Sequence, residues 1–75
     1  MTTIVQIFDA QGSLRWGDAT ETVLEAMEMT RDAWNPETSH RAVIITCRGG
    51  WIMTRVSDDG TNWECTACLP SYRAA

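Results

Sequence analysis

Apolar and β-branched residues alternate with polar ones from Thr2 to Phe8, the period of a strand with one buried face. Asp9-Ala10-Gln11-Gly12 carries turn chemistry, and Ser13-Leu14-Arg15-Trp16 can return as a short second strand that Gly17-Asp18 interrupts. The period then lengthens. Val23, Met27, Thr30 and Trp34 fall within about 60° of one another on a helical wheel, flanked by Leu24 and Ala26. Asp18 or Thr20 can cap this helix, with Glu21 at the capping-box distance from Asp18. Asn35-Pro36 ends it near Trp34, because the residue before a proline avoids the α region.

Three strands follow. Arg41–Arg48 contains the apolar run Ala-Val-Ile-Ile-Thr-Cys, Gly49-Gly50 is a two-residue hairpin turn, and Trp51–Val56 is the next strand. Asp59-Gly60 signals a second turn, after which Thr61–Cys68 is the last strand, ended by Pro70. A Gly49-Gly50 turn sets Arg48 against Trp51, Cys47 against Ile52, Ile45 against Thr54 and Val43 against Val56. An Asp59-Gly60 turn sets Val56 against Trp63, Thr54 against Cys65 and Ile52 against Ala67. Both registers then place Val43, Ile45, Cys47, Ile52, Thr54, Val56, Trp63, Cys65 and Ala67 on one face, which is expected to carry the helix. Ile44, Thr46, Trp51, Met53, Arg55, Glu64, Thr66 and Cys68 form the other, with Arg55 opposite Glu64 as a favourable cross-strand pair. A three-residue Asp58-Asp59-Gly60 loop would slip the second hairpin by one and flip the last strand. The elements predict an α+β fold: an antiparallel β-sheet with one α-helix packed on one face, in ββ-α-βββ order, as a single domain over residues 1–75.

The length of 75 residues leaves room for one core only. Hydrophobic residues at 44% and charged ones at 21% describe a globular chain, and no apolar run approaches the roughly 20 residues of a membrane span. The opening MTTIVQIFDA has neither a basic n-region nor a small-residue cleavage site, so a cytoplasmic location is expected. A net charge of −4 disfavours nucleic acid as the main ligand. Every cation is an arginine, whose planar fork suits interfaces.

Candidate chemistry is sparse. Cys65-x-x-Cys68 lies at the end of a predicted strand, not at the helix N-terminus that would activate a redox thiol. His40, Cys47, Cys65 and Cys68 supply a zinc set by count, but residues 65 and 68 point to opposite faces of a continuous strand, so no metal is expected. His40 is the single histidine, and no nucleophile–base pair, phosphate loop or paired-carboxylate site accompanies it. The chain therefore reads as a non-enzyme without a cofactor.

Two surfaces remain. Glu21, Glu25, Glu28 and Asp32 gather within about 60° opposite the core stripe, a like-charged row suited to steering toward a basic protein. On the outer sheet face, Trp51 and Met53 beside Arg55 and Glu64 have the composition of an interface hot spot.

The stretch Gly49-Gly50-Trp51-Ile52 through Asp58-Asp59-Gly60-Thr61-Asn62-Trp63-Glu64-Cys65 resembles the C-terminal hairpin of small phage-encoded anti-CRISPR proteins that inhibit type I-F interference. The resemblance covers about a third of the chain, and this chain lacks the lysines of that family. It implies binding to a basic nucleoprotein partner, the Cas subunits of a surveillance complex in the bacterial host, and a block of target-DNA hybridisation. Residue by residue it points to Trp51, Asp58, Asp59 and Trp63 as contacts. From a different class, the hairpin followed by Thr20-Glu21-Thr22-Val23-Leu24-Glu25-Ala26-Met27 resembles the partial RNase-H-like fold of HicB-type antitoxins, which bind a small toxin. A mobile-element protein that forms a homodimer through the outer sheet face is the third option.

Overall fold

The computed structural model describes residues 2–70, with side chains to Thr66. Five strands and one helix follow in the order β1 (Thr2–Phe8), β2 (Leu14–Thr20), α1 (Val23–Ala33), β3 (Arg41–Arg48), β4 (Trp51–Ser57) and β5 (Glu64–Pro70). All neighbours in the sheet are antiparallel, in spatial order β2-β1-β3-β4-β5. This is the α+β architecture expected. Since β1 runs against both β2 and β3, those two are parallel to each other with β1 between them. The connection from β2 to β3 must therefore cross over β1, and α1 is that crossover, touching β1, β2 and β3.

Two boundaries move. Strand β2 runs through Gly17-Asp18 to Thr20 because β1 offers a full ladder: Gln6 faces Gly17, Val5 faces Asp18 and Thr3 faces Thr20. A glycine costs little there, on an edge strand. The helix accordingly starts later. Its N-cap is Thr22, not Asp18 or Thr20: the Thr22 hydroxyl oxygen accepts from the Glu25 N–H at 3.1 Å and donates to Glu25 Oε1 at 2.9 Å. The capping box is thus Thr22-x-x-Glu25, and Glu21 lies outside the helix. At the other end Trp34 is the C-cap, and its N–H donates to the Thr30 carbonyl at 2.8 Å.

The β3–β4 hairpin has the predicted register, with Arg48 facing Trp51 and Val43 facing Val56. Gly49 and Gly50 both take positive φ, +57° and +82°, as a primed turn requires. The face that carries the helix is the reverse of the one predicted. Thr3, Val5, Ile7, Ala42, Ile44, Thr46 and Ser57 are buried, and Val5, Ile44 and Ala26 of the helix form the core cluster, with Trp16, Met27 and Trp63 against it. The physical reason is that β3 is apolar on both sides, so its own pattern leaves the choice open. Strand β2 decides it: Trp16, opposite Ile7, projects to the Val5 side, whereas on the other side Gly17 and Ala19 stand opposite the middle of β1 and Leu14 only at its end, opposite Phe8. The buried helix stripe is rotated in step, with Ala26 and Thr30 at its centre and Leu24 67% exposed. Thr30 is accommodated by donating its hydroxyl to the Ala26 carbonyl at 2.8 Å.

The second hairpin differs more. Its connection spans Asp58–Trp63, so β5 begins at Glu64 and not at Thr61. Near the turn the register is slipped by one, with Val56 facing Glu64 and Arg55 facing Cys65. An irregularity between Thr54 and Arg55 then sets Thr54 against Ala67 and Ile52 against Leu69. Arg55 and Glu64 are consequently on opposite faces and make no cross-strand pair.

Candidate functional site

The Asp58–Trp63 connection is built around one carboxylate. Asp59 accepts from the backbone N–H groups of Thr61 and Asn62, both at 2.8 Å, from Asn62 Nδ2 at 2.6 Å, and from the Thr61 and Ser57 hydroxyls at 3.2 and 3.1 Å. These donors, first the Asn62 and Thr61 backbone groups, hold the Asp59 pKa far below its ordinary 3.8. A depressed folded pKa stabilises the fold fully above the unfolded pKa. That contribution is lost as pH falls from about 4 toward the folded value. The stability gap between wild type and Asp59→Asn, measured by urea melts, should therefore be constant above pH 5 and shrink below pH 4.

Beside this loop, Gly60 adopts φ +82° against the face of Trp34. The packing draws the loop over the helix side of the sheet, where Trp63 reaches the core. Between α1 and the loop lies a groove of about 230 Å³, lined by Leu24, Met27, Glu28, Arg31 and Trp63 among others.

The predicted contact residues do not form one surface. Glu25, Glu28 and Asp32 lie exposed on the outer side of α1, and no ion pair neutralises them among the described residues. Glu21 is exposed but sits in the β2–α1 connection. Trp51, Met53 and Arg55 are on the helix-bearing face and not on an outer one, in the half of the sheet that α1 does not reach. Trp51 is 52% exposed there, Met53 is half-buried, and Arg55 has a buried Nη1 without a partner among the described residues. Thr3 and Thr46, neighbours in the ladder, likewise bury hydroxyls with no partner among the described residues. Asp58 faces Arg41 at 3.4 Å, both well exposed, and Glu64 stands on the edge strand on the opposite face. The reversal of faces therefore sets Trp51 and the acidic row on the same side of the molecule.

The thiols and the histidine do not converge. His40 and Cys47 stand at opposite ends of β3, roughly 23 Å apart at about 3.3 Å per residue. Cys47 is separated from Cys65 by strand β4, and the Cys68 side chain lies outside the described residues. Among the described residues, no cluster of three metal-ligating side chains forms.

Sequence reasoning did not single out the surface on the other side of the sheet. Ile4, Phe8, Val43, Ile45, Ile52 and Val56 share that face, and no described element packs on it. Ile4 is 39% exposed and the other five are half-buried. The signal was present in β3, whose unbroken apolar run is that of a strand covered on both faces. Among the described residues no helix is long and apolar enough to cross a membrane. The chain matches no protein-family model and no characterised protein, and its fold matches no solved structure.

Proposed function

We propose that this protein acts by stoichiometric binding to a basic protein surface and not by catalysis, using the side of the molecule that carries α1. The observation that supports this reading most directly is the row Glu25, Glu28 and Asp32, unneutralised among the described residues and on the same side as the exposed Trp51. Such a row raises the association rate in a salt-dependent way, and an exposed tryptophan supplies the desolvated anchor that slows dissociation. The exposed Leu24 adds apolar contact beside Glu28 at the α1 groove.

The hairpin resemblance nominates the partner as a type I CRISPR surveillance complex in the bacterial cytoplasm, held from its target DNA. The clean charge reversal is Glu28→Arg with Asp32→Arg. Glu25 is unsuitable, because its carboxylate accepts from the hydroxyl of the N-cap Thr22 at 2.9 Å, so reversing it would disturb the cap as well as the charge. The double variant should fold normally and associate at least about tenfold more slowly at low salt, with a flattened salt dependence. Trp51→Ala should instead speed dissociation. The measurements are binding kinetics with the purified complex and protection of a plasmid-targeted strain from interference. No protection and no complex binding by wild type would end the CRISPR reading. Recovery of a small basic toxin in a pull-down would turn it toward the antitoxin class.

A further inference from the structure

We propose that the open sheet face is a homodimer interface, in which two copies pack their sheets back to back with the helices outward. This rests on the sheet alone and stands whether or not the acidic helix row binds a partner.

The centre of the face is uncharged. Ile4, Ile45 and Thr54 form one row across the sheet, and Gln6, Val43 and Val56 form the next. Among the described side chains, the charges that the ladder register puts on this face stand at its margins, Arg41 with its partner Asp58 at one end and Glu64 on β5. A basic or acidic partner finds no complementary charge there. A second copy offers a surface of matching twist and equal neutrality, as aligned sheet packing requires. The net charge of −4 points to the same occupant, because the helix carboxylates lie on the other side of the sheet. Two like-charged chains would meet where neither is charged.

The size also fits. Five strands about 4.8 Å apart and some seven residues long at roughly 3.3 Å each make a face on the order of 550 Å². Two such faces bury about 1,100 Å², just above the roughly 1,000 Å² of a specific interface. The gain is needed, since the fully buried apolar side chains among the described residues are Val5, Ile7, Ala26, Ala42 and Ile44, a thin one-sided core.

Strand β3 is the middle strand and Ile45 lies in the middle of its open face, so a two-fold axis lying in the plane between the two sheets and passing beside Ile45 brings it close to its own copy. Sedimentation of the 75-residue protein should show a dimer at micromolar concentration. Ile45→Glu and Ile45→Lys should each be monomeric, with dissociation constants raised roughly a hundredfold or more by buried like charges. Mixing the two should restore a heterodimer. A readout that needs no core variant is the thiol of Cys47, exposed on the same face. In a Cys65→Ser, Cys68→Ser background its alkylation should slow at least about tenfold as protein concentration crosses the dissociation constant. A wild-type protein that sediments as a monomer at 100 µM, with Cys47 alkylated at one rate throughout, would overturn the proposal. So would a dimer that survives both charged variants. Neither result bears on the acidic row, and Glu28→Arg with Asp32→Arg should leave the dimer intact.

Discussion

Ile44→Asp should abolish the cooperative melt. Ile44 is fully buried on the central strand, facing Val5 across the ladder and packed with Ala26 of the helix. Across the ladder stands Arg55, whose buried Nη1 has no partner among the described residues, so the carboxylate would meet one cation. It would still be desolvated, and the packing of the isoleucine side chain against Val5 and Ala26, worth about 2–5 kcal/mol, would be lost. A domain of this size holds roughly 4–11 kcal/mol in total. Circular dichroism should show a largely unfolded protein at 25 °C, and near-wild-type melting would mean that the helix sits on the other face. Val56→Asp is the matched control. Although it belongs to the same hairpin, its side chain is half-buried on the open face. The monomer should keep its helix and sheet with this substitution, whereas a helix on the Val56 side would make it the more damaging of the two.

Gly60→Ala is the second large effect. The backbone φ of +82° already disfavours any L-residue, by about 1 kcal/mol or more. The added Cβ would also stand 2.8 Å from Trp34 Cδ2 and 2.9 Å from Cε3. An indole ring, unlike the tip of a flexible side chain, can move only by dragging the helix C-cap with it. Strain and overpacking together should cost roughly 2–4 kcal/mol, a fall in Tm on the order of 10–20 °C. Gly50→Ala isolates the backbone part, because its φ is also +82° but nothing lies within 4 Å of its Cβ position. It should lose only about a third as much. Equal losses in the two variants would show that the Trp34 contact is unimportant.

The elements were readable wherever one local rule spoke without competition. The Gly49-Gly50 turn fixed the β3–β4 register, and Asn35-Pro36 ended the helix where expected. Errors came where two rules were both satisfied. Asp18-x-x-Glu21 and Thr22-x-x-Glu25 are both capping boxes in sequence, and only the ladder between β1 and β2 selects the second. Ala42-Val43-Ile44-Ile45 is apolar on either face, and the placement of Trp16 selects one. Asp59-Gly60 matches a tight turn, but Asp59 gathers donors from Ser57, Thr61 and Asn62 into a wider loop. At the site, exposure of the acidic row followed from helix geometry alone. That Trp51 joins it on one side depends on the face reversal, which is a long-range property.

The crossing of α1 over β1 has a kinetic consequence. The β1–β2 and β3–β4–β5 ladders close short connections, so each can form early and locally. The β1–β3 ladder alone joins distant chain segments, from Phe8 with Arg41 to Thr2 with Cys47. Closing that long loop carries the main entropic barrier, and the helix is its tether. The rate-limiting step of folding should be the docking of an N-terminal hairpin onto a C-terminal meander. Substitutions in Val5 or Ile44 would then slow folding, while those in the Asp58–Trp63 loop would mainly hasten unfolding.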